Sequence, residues 1–117
     1  MTAALFDLDA HPAALTDLDR LPADIQDSAV HHLRCLVHSQ HRGPLLGRRG
    51  LWDLTGCRRI YLDAERRWRL VYQERSPRPG ASGVIYLLAA GPRSGHQVYN
   101  TAARRLQLLS SSFAAAA

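Results

Sequence analysis

Apolar positions recur along this chain in two registers. Between residues 11 and 38 they step by three and four. Leu15, Leu18 and Leu21 form one stripe behind His11-Pro12, where a proline suits the first turn of a helix. Ile25, Ala29, Val30, Leu33, Leu36 and Val37 form a second stripe from about Ala23 to His38, with Asp24 and Asp27 near the positive end of that helix. Leu21-Pro22 separates the two, because the residue before a proline avoids helical backbone. Downstream the pattern changes to short apolar runs near residues 58–63, 67–74 and 83–90, which read as three strands. Their connections are short enough to require antiparallel pairing. Phe6 to Asp9 alternates apolar and acidic residues, a weaker strand signal. Residues 39–50 read as a basic loop with three glycines and Pro44, and Leu51 to Leu54 fits either a strand start or a packed turn. From Gln97 to Leu109 the helical period returns, with Val98, Ala102, Leu106 and Leu109 on one side.

These elements predict an α+β fold. A helical hairpin packs on a small, mostly antiparallel sheet of about four strands, and a C-terminal helix closes a single domain over residues 1–109. Residues 110–117 are low-complexity and are expected to fray as a tail. A chain of 117 residues forms one small domain that buries roughly two-thirds of its unfolded surface. No apolar run reaches the length of a membrane span and no charged-then-apolar leader is present, so a protein that stays in the cytoplasm, away from membranes, is expected. Cys35 and Cys57 have neither CxxC spacing nor histidines at metal-ligand intervals. They read as free thiols, and neither a metal nor a cofactor is expected.

Charge sharpens the picture. Residues 1–30 hold six Asp against Arg20, whereas residues 31–117 hold fourteen Arg against four acids, and there is no lysine. A basic C-terminal two-thirds with a pI near 10.0 favours a polyanionic partner. The arginines are also regularly placed. Alternation sets Ile60 and Leu62 on one face of the first central strand and Arg59, Tyr61 and Asp63 on the other. On the next strand it opposes Trp68, Leu70 and Tyr72 to Arg69, Val71 and Gln73. If the helices cover the apolar face, the opposite face presents Arg59, Tyr61, Arg69 and Gln73 to solvent, and a Gly-Pro turn aims Arg93 back across the sheet end. A guanidinium grips phosphate oxygens in a bidentate fork, so such a group of arginines suits a phosphate that gains negative charge during reaction.

The order of these pieces resembles the RelE/ParE family of bacterial type II toxins, in its RelE-like messenger-RNA-cleaving branch. The resemblance lies in Arg69-Leu70-Val71-Tyr72-Gln73, in the apolar strand ending Gly91-Pro92-Arg93, and in Val98-Tyr99 opening a helix that ends Arg104-Arg105-Leu106. It spans about residues 3–109. It implies a RelE-like fold, a cognate antitoxin protein as partner, and messenger RNA in the ribosomal A site as substrate. The reaction implied is metal-independent endoribonuclease cleavage, in which the 2′-hydroxyl attacks the adjacent phosphate. By position, Arg69, Arg93 and Tyr99 match the family's arginines and tyrosine, while Arg59 and Tyr61 stand where the family has lysines. Arginine does not readily give up its proton, so the general base falls to Tyr61, Tyr99 or His96. Two alternatives remain open: a gyrase-inhibiting, non-enzymatic toxin like the ParE branch, and a nucleic-acid-binding module without catalysis.

Overall fold

The computed structural model describes residues 6–40, 42–49, 52–75, 83–92 and 97–116. Strand β1 (Phe6–Ala10) leads into helices α1 (Pro12–Asp19) and α2 (Ala23–Val37), then β2 (Leu45–Arg49), β3 (Trp52–Tyr61), β4 (Trp68–Arg75), β5 (Gly83–Pro92) and helix α3 (Gln97–Ala116). The strands form one mixed sheet in the order β1-β5-β4-β3-β2. β1 runs parallel to β5 and the other pairs are antiparallel. None of the described helices is long and apolar enough to cross a membrane.

The helical hairpin forms as its spacing predicts, except that Leu15 of the first stripe and Val30 of the second face outward. His11 caps α1, its Nδ1 accepting from the Ala13 N–H at 3.1 Å, and Pro12 opens the first turn. The buried stripe of α1 is Ala14 with Leu18 and Leu21, while Leu15 is 55% exposed. Gln26 ties the two helices by donating to the backbone oxygens of Leu18 and Asp19 at 2.8 and 3.1 Å. α2 ends with Ser39 at φ +57°, and the N–H groups of Ser39 and Gln40 return to the oxygens of Leu36 and Cys35. That is the left-handed closure usually given to glycine.

The sheet has five strands where about four were expected. The additional one, β2, carries glycine and arginine in place of β-branched residues, so its composition reads as loop. It is a strand because it pairs back on β3. β3 begins at Trp52, before the expected start, and its alternation is broken. Between Leu45 and Gly47 the register against β3 shifts. Leu54 and Cys57 therefore both face α3 although they are three residues apart, with Gly56 at φ +85° between them. A second irregularity lies on β5. Val71 pairs with Ala89 but Tyr72 with Leu87, so Leu88 is an extra residue. Consecutive residues Leu88 and Ala89 consequently lie in the same cluster.

Two apolar layers result. α1 and α2 cover Ile60, Leu62, Leu70, Tyr72, Ile85 and Leu87 on one face of the sheet. On the other, Val98, Tyr99, Ala102 and Ala103 of α3 pack against Leu54, Cys57, Val71, Tyr86 and Leu88. The face expected to be open to solvent is thus largely covered, and Leu70, Val71 and Tyr72 are all fully buried. Cys35 and Cys57 are buried and not joined to each other. Helix α3 continues to Ala116, past the expected end at Leu109.

Candidate functional site

The end of the α3 face beside the first turn of that helix holds the predicted strand arginines. Tyr61 of β3 pairs directly across the ladder with Arg69 of β4, and Arg59, two residues back, shares their face. The Arg59 guanidinium carbon lies 4.4 Å from the centre of the Tyr61 ring, and that of Arg69 lies 5.0 Å away. A third cation approaches the same ring at 5.2 Å, from Arg66 in the β3–β4 turn. Tyr99 enters from the first turn of α3, where its hydroxyl oxygen accepts from Arg69 Nη1 at 2.6 Å. Its ring centre is 5.2 Å from the Arg69 guanidinium carbon.

The structure therefore brings together Arg59, Tyr61, Arg69 and Tyr99. Arg93 and His96 fall in the connection between β5 and α3, outside the described residues. Arg69 departs from expectation in its environment: it is 7% exposed, not solvent-facing, because the first turn of α3 closes over it. Its Nε is buried without a hydrogen-bond partner. Burying a guanidinium with one donor unsatisfied is costly, offset here by the Tyr99 hydroxyl and two aromatic faces. Tyr99 is only 2% exposed, with its hydroxyl engaged by Arg69. Tyr61 is half-buried and remains within reach from solvent.

A glycine fixes the rim beside Arg59. A Cβ at Gly43 would meet the Arg59 backbone oxygen at 2.1 Å, so only glycine allows the loop to lie on β3 there. The Gly43 N–H donates to the buried Tyr72 hydroxyl at 2.9 Å, and Arg58 Nη1 donates to the Gly43 oxygen at 2.7 Å. His32, Arg42, Gly43, Pro44, Arg59 and Tyr61 line a shallow groove of about 340 Å³ that runs from this rim to the Tyr61 ring.

Acid pairing divides the arginines. Arg42 forks onto Glu74, and Arg58 lies 3.7 Å from the same carboxylate. The Arg42 fork holds the Glu74 carboxyl below the usual range, against the burial that pushes it up. Arg67 pairs with Asp63 and Glu65. Partial desolvation pushes the Asp63 carboxyl up, but the Trp68 N–H and Arg67 outweigh it and hold it below its ordinary value. Arg105 pairs with Asp17. Among the described residues, no carboxylate pairs with Arg59, Arg66 or Arg69. Three cations around one tyrosine, with no counter-ion among the described residues, repel one another and together attract an anion.

No family model matches this sequence, and no curated protein matches it either. Solved structures do. A double arginine-to-alanine variant of the E. coli toxin RelE, in the free state, superposes with a TM-score of 0.61 at 24% identity, covering 88% of this chain and 98% of that one. A YoeB/ParE toxin from Agrobacterium tumefaciens gives 0.57 at 15% identity, over 75% of this chain and 99% of that one. The same RelE variant bound to a peptide of its antitoxin RelB gives 0.54 at 23% identity, over 84% and 94%. The fold is that of the RelE/ParE toxins. In this RelE/ParE fold the candidate site takes shape where β3, β4 and the start of α3 meet. Arg66 is the residue that sequence reasoning missed. Its only signal was a tight hairpin, residues 62–68, with neither glycine nor asparagine to take a left-handed position.

Proposed function

We propose that this protein is the toxin of a type II toxin–antitoxin pair and that it cleaves messenger RNA on the ribosome. The observation that carries this reading is the group of three guanidiniums around the ring of Tyr61, unpaired with any carboxylate among the described residues. Arg69 is held by the Tyr99 hydroxyl, its Nε lacks a partner that a scissile phosphate would supply, and Arg59 lies across the same ring. In the reaction, the ribose 2′-oxygen bonds to the adjacent phosphorus and the bond to the 5′-oxygen breaks. A 2′,3′-cyclic phosphate and a free 5′-hydroxyl result. The arginines stabilise the added charge on the phosphoryl oxygens without calling on a metal ion. Tyr61 takes the 2′-proton, and the departing 5′-oxygen takes its proton from water. Arg93 completes the set by position in sequence.

The same face suits an antitoxin segment rich in acids, which would cover the arginines and bind less tightly as salt rises. A RelE neighbour is in complex with an antitoxin peptide, which supports such a partner here. The fold is also shared with a YoeB/ParE toxin, so the test must separate RNA cleavage from gyrase poisoning. Primer extension on cellular messages after induction should show new 5′ ends inside coding regions. The Tyr61→Phe and Arg59→Gln variants should lose those ends. Growth arrest with intact messages and stalled gyrase on DNA would overturn the reading in favour of the non-enzymatic toxin.

A further inference from the structure

The β3–β4 turn contains two adjacent arginines with opposite fates. Arg67 is neutralised: its Nε lies 3.2 Å from Asp63 and its Nη2 lies 2.9 Å from Glu65. Asp63 also accepts from the Trp68 N–H at 3.0 Å, and the Leu62 N–H donates to the Trp68 oxygen at 2.8 Å, so the turn closes through groups that do not involve the Arg66 side chain. Arg66 is exposed, has no acid partner among the described residues, and sits at φ +62°. Its own N–H donates to the Asp63 oxygen at 3.1 Å. That left-handed conformation is disfavoured for a residue with a Cβ, and glycine or asparagine would satisfy it better. The turn gains nothing from an arginine there. What the conformation does is carry the guanidinium back over the Tyr61 ring, to 5.2 Å from its centre, beside Arg59 and Arg69.

We propose that Arg66 is a further substrate ligand of this site, binding a backbone phosphate of single-stranded RNA next to the phosphate held at Arg69. The inference rests on the RNA-cleaving reading above and adds a residue to it. Nucleic-acid backbones present successive phosphates at regular intervals, so a row of unneutralised cations along one rim reads more than one of them. A buried, pre-positioned Arg69 suits the reacting phosphate. The exposed Arg66, on a turn at the strand ends, suits its neighbour, whose geometry need not change during reaction.

Arg66→Gly separates this role from a structural one. The variant removes the guanidinium and relieves the left-handed strain, so its thermal midpoint should be held or raised. Its affinity for a short single-stranded RNA oligonucleotide should fall about fivefold at low salt, the size expected for one exposed charge contact. The slope of log affinity against log salt should become shallower by about 0.7, the counter-ion equivalent of one phosphate contact on a single strand. Arg66→Lys should restore most of that slope. If Arg59→Gln weakens RNA binding while Arg66→Gly leaves affinity and slope unchanged, the role of Arg66 is refuted and the site stands. If neither variant alters RNA binding, the RNA reading of the site falls with it. A midpoint lowered by Arg66→Gly with unchanged RNA binding would assign the arginine to the fold.

Discussion

Replacing Tyr99 by phenylalanine removes one oxygen and tests how the site is held. That oxygen accepts from Arg69 Nη1 at 2.6 Å, and Arg69 Nε is already without a partner. The variant therefore leaves a guanidinium that is 7% exposed with two unsatisfied donors. A hydrogen bond to a charged group contributes about 2 kcal/mol, and the buried donor left behind cannot recover it from water. For a domain of this size the loss corresponds to a fall of about 6–10 °C in Tm. The pairwise origin is checked by a double-mutant cycle with Arg69→Met, which keeps the side-chain volume and removes the charge. In that background Tyr99→Phe should cost about 2 kcal/mol less, and the difference is the coupling energy. Activity should fall because Arg69 loses its fixed position, and a misplacement of about 1 Å costs up to 100-fold. The pH dependence of the remaining activity should keep its shape, because Tyr99 holds Arg69 and takes no proton from substrate. Equal costs of Tyr99→Phe in both backgrounds would refute the coupling. A changed pH profile in Tyr99→Phe, with an unchanged one in Tyr61→Phe, would exchange the roles given to the two tyrosines.

Two further predictions concern the frame around the site. Arg105 Nη1 donates to Asp17 Oδ2 and to the Leu88 oxygen, each at 2.6 Å, so Arg105→Ala leaves a carboxylate only 15% exposed without its cation and should cost about 3 kcal/mol in urea unfolding; Asp17→Asn should cost less if its side-chain oxygen still accepts from the Ala90 N–H. Burial first, and then Arg105, push the His11 imidazole below its ordinary pKa, against the opposing pull of Asp17; a lowered folded pKa means stability that is complete above about pH 6.5 and is lost as pH falls below it, so the urea midpoint should drop between pH 6.5 and 5, and His11→Ser, which can still cap α1, should lessen that drop.

Much of the architecture was legible because it rests on local periodicity. The two stripes of the hairpin, the Leu-Pro break and the central strands follow from spacing alone, and the face assignment of Ile60, Leu62, Arg59, Tyr61 and Arg69 is correct. The errors lie where local pattern and tertiary pairing part company. Leu45–Arg49 has no strand composition of its own and is a strand through pairing with β3. The extra Leu88 puts two consecutive residues in one layer, which no period of two can show. That irregularity also has a function in the edge. β1 ends its pairing at Leu87, and beyond it the Leu88 oxygen and Ala90 N–H are taken by Arg105 and Asp17, residues 88 apart in sequence. Such a long-range cap leaves no mark on the local sequence.

The site was legible as a set of residue types and illegible as an electrostatic object. Fourteen arginines in residues 31–117 suggest a polyanion partner but do not say which of them are available to it. Availability depends on pairing: Glu74 engages Arg42 and Arg58, Asp17 engages Arg105, and Asp63 and Glu65 engage Arg67. Asp63, Glu65 and Glu74 thus sit beside arginines of the frame, and among the described residues no acid pairs with those at Tyr61. Arg66 shows the same division within a single turn. There the residue type contradicts the backbone conformation it occupies, at φ +62°, with no fold-level gain in sight. Local rules are broken most often where a side chain is needed for something other than folding. The broken rule lies 5.2 Å from the ring that the other two guanidiniums share, which is why function, and not packing, is the better account of it.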